Sequence, residues 1–402
     1  MNVMPRSIGA LMVLLAACTS TPRTPTAASS SPGTSTTSSP TLPTPTKSYV
    51  APSLTRGFVV VDMTWVSDEI GWVLGGRGCA AASCARLLRT DDGGLHWRRL
   101  GAPPAFVLAK GQYASKGCPP SDCVSHIRFA NTRVGYAFGS TLFITTDGGR
   151  SWQKQPTPPY VDSLEISHGV VYRVAYSNSG CPGPCGEHVD SAPTGSTSWH
   201  RILTPMLYGN GSVVVEGSRI YLAQFGNTAG GAGSAHALFS RSLDGGRTWT
   251  TFDDPCGSDA RGENDALDFA AAPVARIVVR CEARFTSSQA EFLVLSSDAG
   301  TTFGSRHVLP LEEYGALQIS AGSSHAFLVL FSRGDSVGVL MSDDARTWEP
   351  TLTVKSPPER ERGGGFLGFQ DPRTARVAFG DAYIWTTRDA GRTWRQSSPF
   401  AT

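Results

Sequence analysis

A short box recurs along the chain and sets its period. The pattern Ser/Thr-x-Asp-x-Gly-x-Ser/Thr-Trp underlies TDDGGLHW (Thr90–Trp97), TTDGGRSW (Thr145–Trp152), SLDGGRTW (Ser242–Trp249) and TRDAGRTW (Thr387–Trp394). SSDAGTTF (Ser296–Phe303) carries Phe in place of Trp. MSDDARTW (Met341–Trp348) reads as a copy that has lost the first hydroxyl and the glycine, with Asp343 as its acid. APTGSTSW (Ala192–Trp199) keeps only Ser198 and Trp199. The closing aromatics, at 97, 152, 199, 249, 303, 348 and 394, lie 45 to 55 residues apart, which makes seven units. A fixed period of this length marks a chain built from stacked supersecondary units.

Each unit reads as four short strands. The last shows it best: FLGF (Phe366–Phe369), RVAF (Arg376–Phe379) and AYIWTT (Ala382–Thr387), then the box and WRQS. Apolar, β-branched runs of this length bounded by Gly, Asp and Pro are strand signals. Four strands per unit, seven times over, predict an all-β fold: a seven-bladed β-propeller of four-stranded antiparallel blades.

The box explains itself as a corner between the third and fourth strands. Its acids (Asp92, Asp147, Asp244, Asp298, Asp343, Asp389) can accept turn amides, and glycine permits a positive φ. The aromatics (Trp97, Trp152, Trp249, Phe303, Trp348, Trp394) can pack between sheets. A calcium loop is the rival explanation, but one or two carboxylates per turn cannot supply six oxygen ligands. No metal and no cofactor is expected.

These boxes resemble the Asp-box, or BNR, repeats of sialidases, sortilin-type receptors and photosystem II assembly-factor-like propellers. A second echo, WVSDEIGW (Trp65–Trp72), FANTRVGY (Phe129–Tyr136) and more loosely FQDPRTARVAF (Phe369–Phe379), is similar to the assembly-factor-like branch. That resemblance implies a role in assembling a membrane-associated complex. A sialidase would need an arginine triad, a Tyr/Glu pair and an Asp, its first arginine usually in Arg-Ile-Pro. No Arg-Ile-Pro occurs, and Arg56, Arg128 and Arg201 sit in no motif, so no catalytic residue is assigned.

Ahead of the repeats, Arg6 precedes an apolar run from Ile8 to Ala17, too short to span a bilayer. It ends in Leu15-Ala16-Ala17-Cys18, which resembles a bacterial lipobox. Residues 1–17 are therefore expected to be a signal peptide. Residues 18–52, lipidated at Cys18 and rich in Ser, Thr and Pro, are expected to be a tether, and 53–402 the propeller. The expected location is the outer side of a bacterial cytoplasmic membrane.

Eight cysteines remain, in close pairs: Cys79/Cys84, Cys118/Cys123, Cys181/Cys185 and Cys256/Cys281. An even count in an exported chain predicts disulfides, and no histidine pattern favours zinc. All four pairs fall on the propeller face opposite the boxes, where irregular loops gather. Carboxylates gather there too: Asp253, Asp254, Asp259, Glu263, Asp265, Glu312, Glu313, Glu359 and Glu361. The insert GNTAGGAGSAHA (Gly226–Ala237) joins them as a candidate lid. Net charge is +2, which gives no basis for nucleic-acid binding. The expectation is a monomeric, non-catalytic binder of a protein or carbohydrate at the envelope. An exported glycoside hydrolase using two facing loop carboxylates is the alternative.

Overall fold

The computed structural model describes residues 48–50, 59–76, 85–107, 123–156, 160–176, 187–204, 210–227, 235–252, 254–259, 262–283, 291–311, 315–355, 365–379 and 383–398. They form seven antiparallel sheets. Blade 1 is Val59–Trp65, Gly71–Gly76, Ala85–Thr90 and Arg98–Leu100, and blade 2 is Cys123–Phe129, Gly135–Gly139, Phe143–Thr145 and Gln153–Lys154. Blade 3 is Tyr160–Ser167, Val170–Tyr176, Glu187–Pro193 and His200–Leu203, and blade 4 is Asn210–Glu216, Arg219–Asn227, Ala235–Ser242 and Thr250–Phe252. Blade 5 is Gly262–Ala272, Arg276–Ala283, Glu291–Ser296 and His307–Val308, and blade 6 is Gly315–Ser323, Ala326–Arg333, Ser336–Ser342 and Glu349–Lys355. Blade 7 is Phe366–Phe369, Ala375–Ala378, Ile384–Thr387 and Arg395–Ser397. The first strand of each blade packs against the first strands of its neighbours around a central axis. The protein is a seven-bladed β-propeller.

Three blades carry a fifth strand. Phe106–Val107 runs parallel to Cys123 and Val124, and Ser258–Asp259 makes a short hairpin with Gly262 and Glu263. Ser48–Val50, assigned by sequence to the tether, instead runs parallel to Thr353–Lys355 on the outer edge of blade 6. Blade 7 takes all four of its strands from the C-terminal part of the chain, so among the described residues no strand is exchanged across the ring closure.

Seven apolar clusters fill the seven interfaces between blades. The largest lies between blades 5 and 6, around Leu293, Ile319, Phe327 and Trp348. The two smallest seal blades 3 and 4 (Val174, Val213, Leu222) and blades 7 and 1 (Met63, Val73, Ile384). At the closing interface a polar latch adds to the apolar contact. Asp68 accepts from Gln370 Nε2 at 3.2 Å and Arg388 Nη1 at 3.0 Å, and its carbonyl accepts from Arg376 Nη2.

The boxes build the corners. In blade 2, Thr145 Oγ1 donates to Asp147 Oδ1 and accepts the Gly149 N–H. The same carboxylate accepts the amides of Arg150 and Ser151 and the Ser151 hydroxyl. One further backbone bond, Gly148 N–H to Arg133 C=O, clamps the box to the first hairpin turn of its blade. Blades 1, 3, 4, 5 and 7 repeat it. Both turns therefore share one face. The second glycine of the box is fixed twice over: Gly149 has φ +90°, and a Cβ there would lie 2.7 Å from Leu87.

The second sequence echo also has a structural cause. Trp65 pairs with Gly71 and Phe129 with Gly135, and each ring lies flat across its glycine. A Cβ on Gly71 would come within 2.3 Å of the indole. Ser67, Asn131 and Asp371 cap these turns by accepting two amides each.

The sixth box corrects the expectation for Asp343. Ser342 Oγ donates to Asp344 Oδ1, which also accepts the amides of Arg346 and Thr347. The box acid is Asp344 and its hydroxyl is Ser342; the turn is one residue shorter, not stripped of its cap. Asp343 instead faces Arg392 at 2.8 Å on the surface.

Donors pull the box acids down. Amide and hydroxyl bonds from Thr248 and Ser242 bring Asp244 to about 2. A carboxylate depressed in the fold contributes stability that is present above its ordinary value of 3.8 and is lost as pH falls through the folded value. Circular dichroism should show acid unfolding developing between about pH 4 and pH 2. Asp344→Ala should lower the thermal midpoint clearly, while Asp343→Ala should leave it nearly unchanged. Equal effects would contradict the reassignment.

Candidate functional site

Each sheet leaves the inner edge of its first strand unpaired, facing the axis. Polar side chains of the preceding blade satisfy that edge at blades 2, 4, 6 and 7. Asp62 Oδ2 accepts the Ile127 N–H at 2.9 Å, Asp268 Oδ2 that of Ile319 at 2.9 Å, and Ser163 Oγ that of Val213 at 3.1 Å. Gln318 both donates to and accepts from Leu367. Blades 4 and 7 offer no such side chain to blades 5 and 1. There, Phe269 N–H and Met63 N–H bond to Asp268 Oδ1 and Asp62 Oδ1 of their own strands. A second row, Thr64 to Phe129 and Ser320 to Phe369, lies one residue pair nearer the box face.

Below this belt, the box-side half of the channel encloses a cavity of about 390 Å³. Its polar lining is Thr64, Arg128, Glu165, Gln318, Ser320, Gln370 and Arg376. Arg128 donates to Asp62 at 3.1 Å and to Glu165 at 3.2 Å. Burial by itself would raise Asp62, but the charge of Arg128 and the approach of His126 at 3.4 Å hold it below the ordinary carboxylate range. Arg376 lies 3.5 Å over the Trp65 ring and bonds to Gln370; burial pulls it down to about 10.

At the opposite end, between blades 3 and 4, lies a buried acidic group that the sequence reading missed. Asp162 accepts the Tyr176 hydroxyl at 2.8 Å and the Gly211 N–H at 3.2 Å, and burial raises it. Glu187, 2% exposed, is pushed by burial to about 8 despite the Gln224 amide that bonds to it. On blade 3, Asp190 gathers Arg173, His188 and, at 3.6 Å, Arg201.

The sequence candidates are only partly in view. Cys256 and Cys281 are joined, and Cys123 is disulfide-bonded. Asp254 caps the Cys256 amide at 2.8 Å. The backbone of Asp259 and Glu263 forms the short hairpin of blade 5. Cys18, Cys79, Cys84, Cys118, Cys181, Cys185, Glu312, Glu313, Glu359 and Glu361 lie outside the described residues. Arg128 and Arg201 do not converge: one stands in the channel, the other on the outer strand of blade 3. The cavity lies on the box side of the channel.

No family model matches the sequence, and no curated protein matches it. Solved structures match the fold. YCF48 bound to D1 peptide superposes with a TM-score of 0.50 at 13% identity, covering 84% of this chain and 93% of that one. The β-propeller domain of the Trilobed protease from Pyrococcus furiosus, described as having an open velcro topology, gives 0.54 at 10% identity, covering 86% and 100%. An ancestral GH74 enzyme gives 0.51 at 12%, covering 87% of this chain and 48% of that one. At these identities the likeness is one of fold.

Two substitutions test this geometry. Arg128→Met leaves Asp62 buried and uncompensated, and should cost about 3–5 kcal/mol in urea unfolding at pH 7. The cost should shrink toward acid pH, where Asp62 takes up a proton. Gly211→Ala places a Cβ 2.0 Å from Glu187 Oε1 and should cost about 1–3 kcal/mol.

Proposed function

We propose that the protein is an exported, lipid-anchored propeller that binds a protein partner at the cell envelope and performs no catalysis. The anchor is Cys18, and the binding surface is the face opposite the boxes. The observation that carries this reading is the contrast between the two faces. The box turns bond to themselves and to the first hairpins, whereas the other face bears the Cys256–Cys281 staple. YCF48, which shares the fold, was solved with a bound D1 peptide, so the scaffold can present a peptide-binding surface. A role in assembling a membrane complex is what the assembly-factor-like motifs of the sequence suggest.

The channel supports the non-catalytic reading through its chemistry. Arg128, Asp62 and Glu165 are engaged with one another, and Gln318 with backbone, so the groups lining the axis already serve the fold. A glycoside hydrolase of GH74 type remains the second reading, on the strength of shared fold alone.

Crosslinking and pull-down from native membranes test the binding surface. Deleting residues 226–237 or reducing the disulfides should abolish partner capture while circular dichroism stays that of a folded propeller. Capture that survives both changes would remove the opposite face from consideration. Globomycin should block processing at Cys18. A panel of fluorogenic glycosides should show no turnover; hydrolysis lost on mutating a single loop carboxylate would establish the enzyme reading instead.

A further inference from the structure

Glu187 and Gln224 meet across the interface of blades 3 and 4. Gln224 Nε2 donates to Glu187 Oε2. The other oxygen of each group, Glu187 Oε1 and Gln224 Oε1, is buried without a hydrogen-bond partner. Two orphaned acceptors in a buried interface are costly. A single proton on Glu187 Oε1 removes both: the acid O–H donates to the amide oxygen while the amide N–H donates to the acid carbonyl.

The fold contains its own control. Glu291 opens the third strand of blade 5 as Glu187 opens that of blade 3, and each pairs with the last or next-to-last residue of the strand before it. Glu291 is answered by Arg280 Nη1 at 2.9 Å and by the Ala316 N–H at 3.0 Å. At Glu187 the place of that amide is taken by Gly211, next to its Oε1, and among the described residues no guanidinium bonds to it. Among the described residues, the titratable groups that act on it are Asp162 of the inner strand and Tyr176 of the second strand, and Tyr160 bonds to Asp162. His126 of blade 2 acts on Asp162. Asp162, with its Tyr176 hydroxyl and Gly211 amide, is equipped to carry the charge, while Glu187 is equipped to keep the proton.

We infer that Glu187 and Gln224 form a neutral cyclic acid–amide pair that locks blade 3 to blade 4, and that loss of its proton in mildly alkaline solution loosens this seam. Deprotonation sets a second buried carboxylate beside Asp162 at one of the two smallest apolar interfaces of the ring. The sign follows from linkage. The folded state holds this proton up to about 8, whereas an unfolded glutamate releases it at 4.5, so the contribution is full below 4.5 and falls away as pH rises through about 8.

The inference concerns the isolated protein and stands or falls apart from partner binding. Thermal unfolding of the full-length wild type should lose several degrees between pH 6 and pH 9. Glu187→Gln replaces the pair with an amide–amide ring and should abolish that loss while keeping the pH 6 midpoint. An unchanged alkaline loss in Glu187→Gln overturns the assignment. Infrared difference spectra of the wild type provide a readout that needs no variant. The carbonyl stretch of a protonated carboxyl should vanish with a midpoint near pH 8, and its absence at pH 6 refutes the neutral pair.

Discussion

Seven sheets arranged around an axis leave seven inner edges of unpaired backbone, and side chains answer six of them, those of blades 1, 2, 4, 5, 6 and 7. Asp62, Ser163, Asp268 and Gln318 reach forward to the next blade. Where the preceding blade is apolar, as at Val213 to Val215, the aspartate of the following strand turns back on the amide of its own next residue, Phe269. Buried backbone groups that lack partners cost as much as broken hydrogen bonds. The polar lining of the channel is therefore first a structural requirement. Arg128 then follows from Asp62, since a buried carboxylate needs a counter-charge, and Glu165 extends the pairing toward blade 3.

The repeat made the architecture legible because the corner it encodes is local. Hydroxyl, acid, glycine and hydroxyl all act within one turn, so their spacing survives in sequence. The sixth box shows the limit of that legibility. Two adjacent aspartates and a one-residue deletion let Asp343 be aligned as the acid, when only the bonds to Ser342, Arg346 and Thr347 identify Asp344. The channel belt leaves no such trace: its members lie about fifty residues apart on separate strands, and Ser, Asp and Gln serve interchangeably. Glu187 was equally hidden, because its burial depends on Gln224 of the next blade. The carboxylates singled out by sequence were read as loop charge, which is easy to see and says little about geometry; Asp259 and Glu263 lie instead in strands of blade 5.

The two ends of the channel differ in electrostatic character. Toward the boxes, cations and anions are matched, with Arg128 between two carboxylates. Toward the other face, Asp162 and Glu187 face hydroxyls and amides instead of guanidinium groups. Charge is settled by pairing at one end and by protonation at the other, so solution conditions act unequally on the two.

The placement of Ser48–Val50 has a mechanical corollary. Many rings of this kind need their first strand to complete the last blade; here that strand lies on blade 6, and blades 7 and 1 meet through the Asp68 latch and side-chain packing. Tension applied ahead of Ser48 is borne first by three parallel residue pairs on the outer rim of blade 6. Those pairs act as a fuse: they can part while the circle of seven sheets stays shut.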